Sequence, residues 1–147
     1  MSLEPTLVEV IQDAIESRLL ELHTCTIGQV KEYDAATQRA VVFPVIQRVD
    51  LIDQPGRVVT TLPGLYSVPI VWPRAGGYAL HFPLKEGDTV LIVFAETDTA
   101  LWRTNPLPER PPSGTDIPIG VHQPCDLRRH SLSAAYAIAD GFPDVHP

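Results

Sequence analysis

Leu7, Ile11, Ala14, Ile15, Leu19 and Leu22 recur at spacings of three and four, which gathers them on one face of a helix. Glu9, Asp13, Glu16, Arg18 and Glu21 are mostly displaced from that stripe. Thr6 and Glu9 have the T-x-x-E spacing of a capping box, in which the two side chains satisfy each other's orphan backbone N–H groups. Pro5 just ahead discourages any earlier start. The pattern predicts an amphipathic helix over Pro5–Leu22.

The period changes after His23. Residues 24–33 mix β-branched and polar positions in a loose alternation, residues 34–38 read as a turn, and Arg39–Val49 is rich in valine and isoleucine. Two such runs around a short polar connection predict an antiparallel hairpin. Asp53–Gly56 and Pro63-Gly64 are turn chemistry on either side of a short strand, Arg57–Leu62. A further strand is expected at Val68–Pro73, followed by a tight turn at Gly76-Gly77. Thr89–Glu96 is the strongest strand signal, and the turn at Glu86-Gly87-Asp88 predicts that it pairs with Ala79–Pro83. Asp98–Arg103 has the look of one helical turn capped by Asp98 or Thr97. Ser131–Ala139 reads as a small closing element, and Asp140–Pro147 as a tail.

Fifteen prolines lie mostly at the ends of apolar runs or between Pro106 and Pro118, which suits short strands and stiff loops better than a helical bundle. The fold expected is therefore mainly β: a small antiparallel barrel of about five or six strands with an N-terminal amphipathic helix. The organisation expected is a helix over 1–22, a barrel over 23–104, and a proline-rich connector and closing segment over 105–147 that packs on the barrel or leads away from it. With 44% apolar and 20% charged residues in 147, the chain suits one folded domain and not a disordered one.

Eighteen acidic against eleven basic residues leave a formal charge of −7, which argues against a phosphate-gripping surface or a polybasic membrane contact. No positively charged leader precedes an apolar run, and no run approaches the ~20 residues of a membrane helix, so a soluble, cytoplasmically made protein is expected. Cys25 and Cys125 form no CxxC, and His23, His81, His122, His130 and His146 include no HxH or HxxxH pair, so neither metal nor cofactor is expected. Glu86 and Asp88 flank a glycine as turn residues would, and Gly76-Gly77 lacks the following helix that a phosphate loop needs. No nucleophile elbow, Cys–His signature or kinase motif is found, and no enzyme is expected. Arg128-Arg129-His130 is a small basic cluster that reads as a solvated loop or a subunit contact.

Three stretches in order, 28–42, 68–94 and 126–138, resemble the N-terminal domain of central spike proteins in contractile-tailed phages, the Mu-like membrane-puncturing devices. The middle stretch, from Val68-Pro69-Ile70-Val71-Trp72-Pro73 through Gly87-Asp88-Thr89-Val90, is the most specific. The resemblance implies an OB-fold barrel, a homotrimer seated under the baseplate hub, and a place in the virion after synthesis in the host bacterial cytoplasm, whether from a phage or a prophage. It also implies a C-terminal β-helical shaft and a metal-holding HxH tip that meet the host envelope. This sequence contains no HxH and no long β-repeat after Pro112, so either the chain is a piece cut after the barrel or a separate protein supplies the tip, and contact with the host membrane is expected to be indirect. Leu7, Ile11, Ala14 and Ile15, with Arg128, Arg129 and His130, are the candidate subunit or hub contacts. The competing reading is an OB-fold module for single-stranded nucleic acid, stacking bases on Tyr66, Trp72, Tyr78 and Phe82; the acidic balance counts against it, and no nucleic acid is expected as partner.

Overall fold

The computed structural model describes residues 4–50, 58–104 and 126–139. The Asp53–Gly56 turn, the proline-rich stretch, Cys125, His122, His146 and the tail lie outside the described residues.

Helix α1 spans Leu7–Leu20 and begins with the expected capping box: Thr6 Oγ1 accepts from the Glu9 N–H at 3.3 Å, and Glu9 Oε2 accepts from the Thr6 N–H at 2.6 Å. The Thr6 backbone N–H first, and then the Thr6 hydroxyl, which donates to Glu9 Oε2 at 2.9 Å, hold the Glu9 carboxyl below its ordinary range. Nothing on α1 is buried.

Five strands close into a barrel in the order β1 (Cys25–Asp34), β2 (Arg39–Pro44), β5 (Leu65–Val71), β9 (Ala135–Ala139), β8 (Thr89–Phe94), with β8 returning to β1. Neighbours run antiparallel except β5 and β9, which pair in parallel through Ile70↔Ala137 and Val71↔Ile138. This is a small OB-fold-like barrel. Alternation dictates its core: Val90, Ile92 and Phe94 of β8, Ala40 and Val42 of β2, and Val30 of β1 all point inward. The alanines of β9, Ala135 and Ala137, leave room for the large side chains facing them, as the narrow bore of a five-stranded barrel requires.

Two irregularities bend the wall. Pairing of β1 with β2 slips between Val30 and Glu32, so Lys31 is the extra residue of a bulge. Between β2 and β5, Ala40 faces Val68 while Val42 faces Leu65, and Ser67 takes up the surplus at φ 56°. A bulge spoils strict alternation, which explains why residues 24–33 read so loosely in the sequence.

Two ribbons sit outside the barrel. β3 (Arg48–Asp50) pairs with β4 (Val58–Thr60), so the expected Arg39–Val49 strand is divided into two elements after Pro44. β6 (Arg74–Ala75) pairs with β7 (Tyr78–Ala79) across Gly76 and Gly77, whose φ angles of 59° and 83° are those a two-residue type I′ turn demands.

The hairpin expected around Gly87 is corrected. The turn itself forms, with the Asp88 N–H donating to Lys85 O at 3.1 Å and Gly87 at φ 94°. Its outer groups, however, bond β1: the Val30 N–H donates to Asp88 O and the Gly87 N–H to Val30 O, both at 2.9 Å. The following strand is thereby steered onto β1 and β9, and 80–84 runs without regular structure. Pro83 could not have donated to a ladder there.

Helix α2 (Ala100–Thr104) follows Asp98, whose carboxylate accepts from the Ala100 N–H at 3.2 Å. A 3₁₀ turn, Leu132–Ala134, leads into β9, so the barrel wall takes its fifth strand from beyond the proline-rich stretch.

Candidate assembly surface

The helical stripe has no cover within one chain. Leu7 is 75% exposed, Ile15 54% and Leu19 60%, and Val8 and Ile11 are similarly open. Ala14 lies exposed between them. An amphipathic helix draws its stability mainly from burying that face, and here the face is left open.

The C-terminal end of α1 is tied to the barrel. The Arg48 guanidinium donates to Leu20 O at 2.9 Å, and the His23 N–H donates to His130 O at 3.0 Å. The His23 ring lies 5.4 Å from that of Phe94, centroid to centroid. Partial burial and then the Arg48 charge push the His23 imidazole below its ordinary pKa.

His130 is held at φ 48°, in the left-handed region, by its N–H donating to Glu96 O at 3.1 Å and by the His23 bond to its carbonyl. Its Nδ1 is buried and finds no hydrogen-bond partner among the described residues. Arg129 bridges Thr97 through its backbone, and its side chain is exposed. Arg128 pairs with Asp126, whose carboxyl is lowered first by the Arg128 backbone N–H and then by its guanidinium. Leu127 between them is 97% exposed.

These pieces form an open hollow beside the end of α1, lined by Leu22, Leu127 and Leu132 and rimmed by Arg48, Arg128 and Arg129. The expected contact residues thus fall on two surfaces: Arg128 and Arg129 line the hollow, while Leu7, Ile11, Ala14 and Ile15 occupy the helix leading away from it. His130 is not among the residues lining the hollow; it joins the loop to the end of α1 through its backbone bonds with Glu96 and His23. Leu127 and Arg48 were not legible as members. Leu127 belongs to no periodic run, and Arg48 joins the hollow only through the fold.

The aromatic residues of the nucleic-acid reading do not form one platform. Trp72 is only 9% exposed, packed against Tyr33, His81 and Phe82 at centroid distances of 6.5, 5.5 and 6.0 Å. Tyr66 instead lines a hollow of about 270 Å³ with Pro63, Arg103 and Leu132. Tyr78 and Phe82 are exposed. Among the described residues, no three His, Cys, Asp or Glu side chains gather in a metal-ligating group, and no helix is long and apolar enough to cross a membrane.

The fold is thus a closed small barrel of the OB-fold-like class, with an uncovered amphipathic helix and an open hollow beside its end. The chain belongs to the family described as phage protein Gp138 N-terminal domain, whose model matches residues 27–140. That match fits the N-terminal domain of a phage baseplate spike and gives the chain a phage structural role. The matched span opens inside β1 and closes just after β9, so it encloses the barrel, and α1 precedes it. No curated protein matches the chain.

Proposed function

We infer that three copies of this chain form the base of the central spike in a phage tail baseplate, or in a phage-like injection system, docked to the hub and supporting penetration of the host envelope. The observation that carries this reading is the exposed stripe of α1, which lies ahead of the family's barrel and is left uncovered by a single chain. A closed barrel suits the role because closure leaves the barrel wall no open sheet edge. The role is mechanical and needs no catalytic step.

The test is antibody labelling of particles from the phage that encodes the chain, viewed by electron microscopy. Label at the distal end of the tail, under the baseplate, is the expected result. Label on the head, or only on unassembled protein, would contradict the reading.

The exposed Phe82 ring, 6.0 Å from the buried Trp72 centroid to centroid, favours a second reading, a module that stacks single-stranded nucleic acid. The charge of −7 opposes it. A titration with fluorescent oligonucleotide at low salt separates the two: the spike reading expects no binding, and saturable binding abolished by Phe82→Ala would favour the rival.

A further inference from the structure

Resting on the trimeric reading, we propose that the two surfaces are complementary halves of one interface: the apolar stripe of α1 from one copy lies in the arginine-rimmed hollow of the next. The occupant is thus a second copy of this chain, placed head to tail.

Charge complementarity selects that occupant. Residues 4–22 carry Glu4, Glu9, Asp13, Glu16 and Glu21 against the single cation Arg18, so α1 is an acidic helix. Its first three turns contain no basic side chain. The hollow has the opposite balance: Arg18, Arg48, Arg128 and Arg129 line it with Glu21 and Asp126, which pair with Arg18 and Arg128 and leave a surplus of two positive charges. The apolar parts also match. Leu22 and Leu127 stand exposed at the receiving site, while Leu7, Ile11 and Ile15 stand exposed on the entering helix. Like-charge repulsion disfavours packing α1 against α1, since each copy would bring five acids to one base.

The geometry of symmetry gives this arrangement its consequence. Because stripe and hollow are different surfaces of the same chain, the contact is heterologous, and heterologous contacts close into rings when the rotation allows. A three-membered ring then needs no second kind of contact, and every stripe is covered.

The test uses two full-length variants that each spoil one half: Leu7→Gln with Ile11→Gln on the helix, and Arg128→Glu with Arg129→Glu at the hollow. All four positions are exposed and glutamine is a good helix former, so folding should survive, as circular dichroism and thermal unfolding would check. Light scattering should give a trimer for the wild type and the mass of a single chain for each variant alone. A one-to-one mixture retains one intact stripe and one intact hollow, so its mass should rise toward twice that of the chain at high concentration. A hollow variant that stays trimeric, or a mixture that stays monomeric, would overturn the head-to-tail contact while leaving the trimeric reading intact. A wild type that is monomeric throughout would overturn both.

Discussion

Arg103 joins α2 to the last barrel strand through one guanidinium. Its Nε donates to the Tyr136 hydroxyl at 3.0 Å, Nη2 to Ala135 O at 2.7 Å and Nη1 to Ser133 O at 3.4 Å, and its carbon lies 4.2 Å from the Tyr136 ring centroid. The Tyr136 hydroxyl in turn donates a hydrogen bond to Thr99 Oγ1 at 2.9 Å. A planar fork of donors makes this set, which an ammonium group cannot reproduce. Arg103→Ala should therefore cost about 1.5–3 kcal/mol in chemical denaturation, the range for hydrogen bonds to a charged group, and Arg103→Lys should recover only part of it. Gly28 is a second such position: a Cβ there would lie 2.5 Å from Ile92 Cδ1 and 2.7 Å from Val42 Cγ1, in the middle of the core. Gly28→Ala should lower stability by about 1–3 kcal/mol through overpacking, and an unchanged melting midpoint would contradict that packing. Neither residue was legible, because a guanidinium clamp and a close approach join positions far apart in sequence. His23 supplies a pH prediction. Its folded pKa lies below the ordinary 6.5, so the unfolded chain binds the extra proton more readily. The stabilisation is complete above 6.5 and is lost as pH falls through the folded pKa. The ring-proton shift of His23 should titrate with a midpoint below 6.5, and a midpoint above it would contradict the burial described.

The elements most legible in the sequence were those whose signal is local. Thr6, Glu9 and the stripe located α1 because a capping box and a 3.6-residue period need no distant partner. The Gly76-Gly77 turn was legible for the same reason: left-handed backbone favours glycine, and the turn carries two in succession. Partner choice was harder. The Gly87 turn was found, yet its strand was assigned to the wrong neighbour, since β1 takes the hydrogen bonds of that turn from fifty-odd residues away in sequence. The candidate surface divided in the same manner. Its helical half followed from periodicity, whereas Leu127 and Arg48 enter the hollow only when the chain is folded. For α1 itself, Thr6→Ala removes the hydroxyl that accepts the Glu9 N–H, at a cost of about 1 kcal/mol to the helix. Because nothing on α1 is buried within the chain, that loss should appear as reduced helical circular dichroism, with the unfolding of the barrel little changed. A large drop in barrel stability would mean that α1 covers the chain's own core.

For the whole molecule, the barrel encloses an apolar core, whereas α1, which lies ahead of the family's matched span, buries nothing within the chain. Under the proposed function, α1 finds its cover in an assembly of copies and not in its own chain. The measurement that bears on it most directly is the solution mass of the full chain by light scattering over a wide concentration range. The account predicts a particle of three times the 16.2 kDa chain mass that persists on dilution. A single-chain mass at every concentration, with α1 still helical, would contradict it.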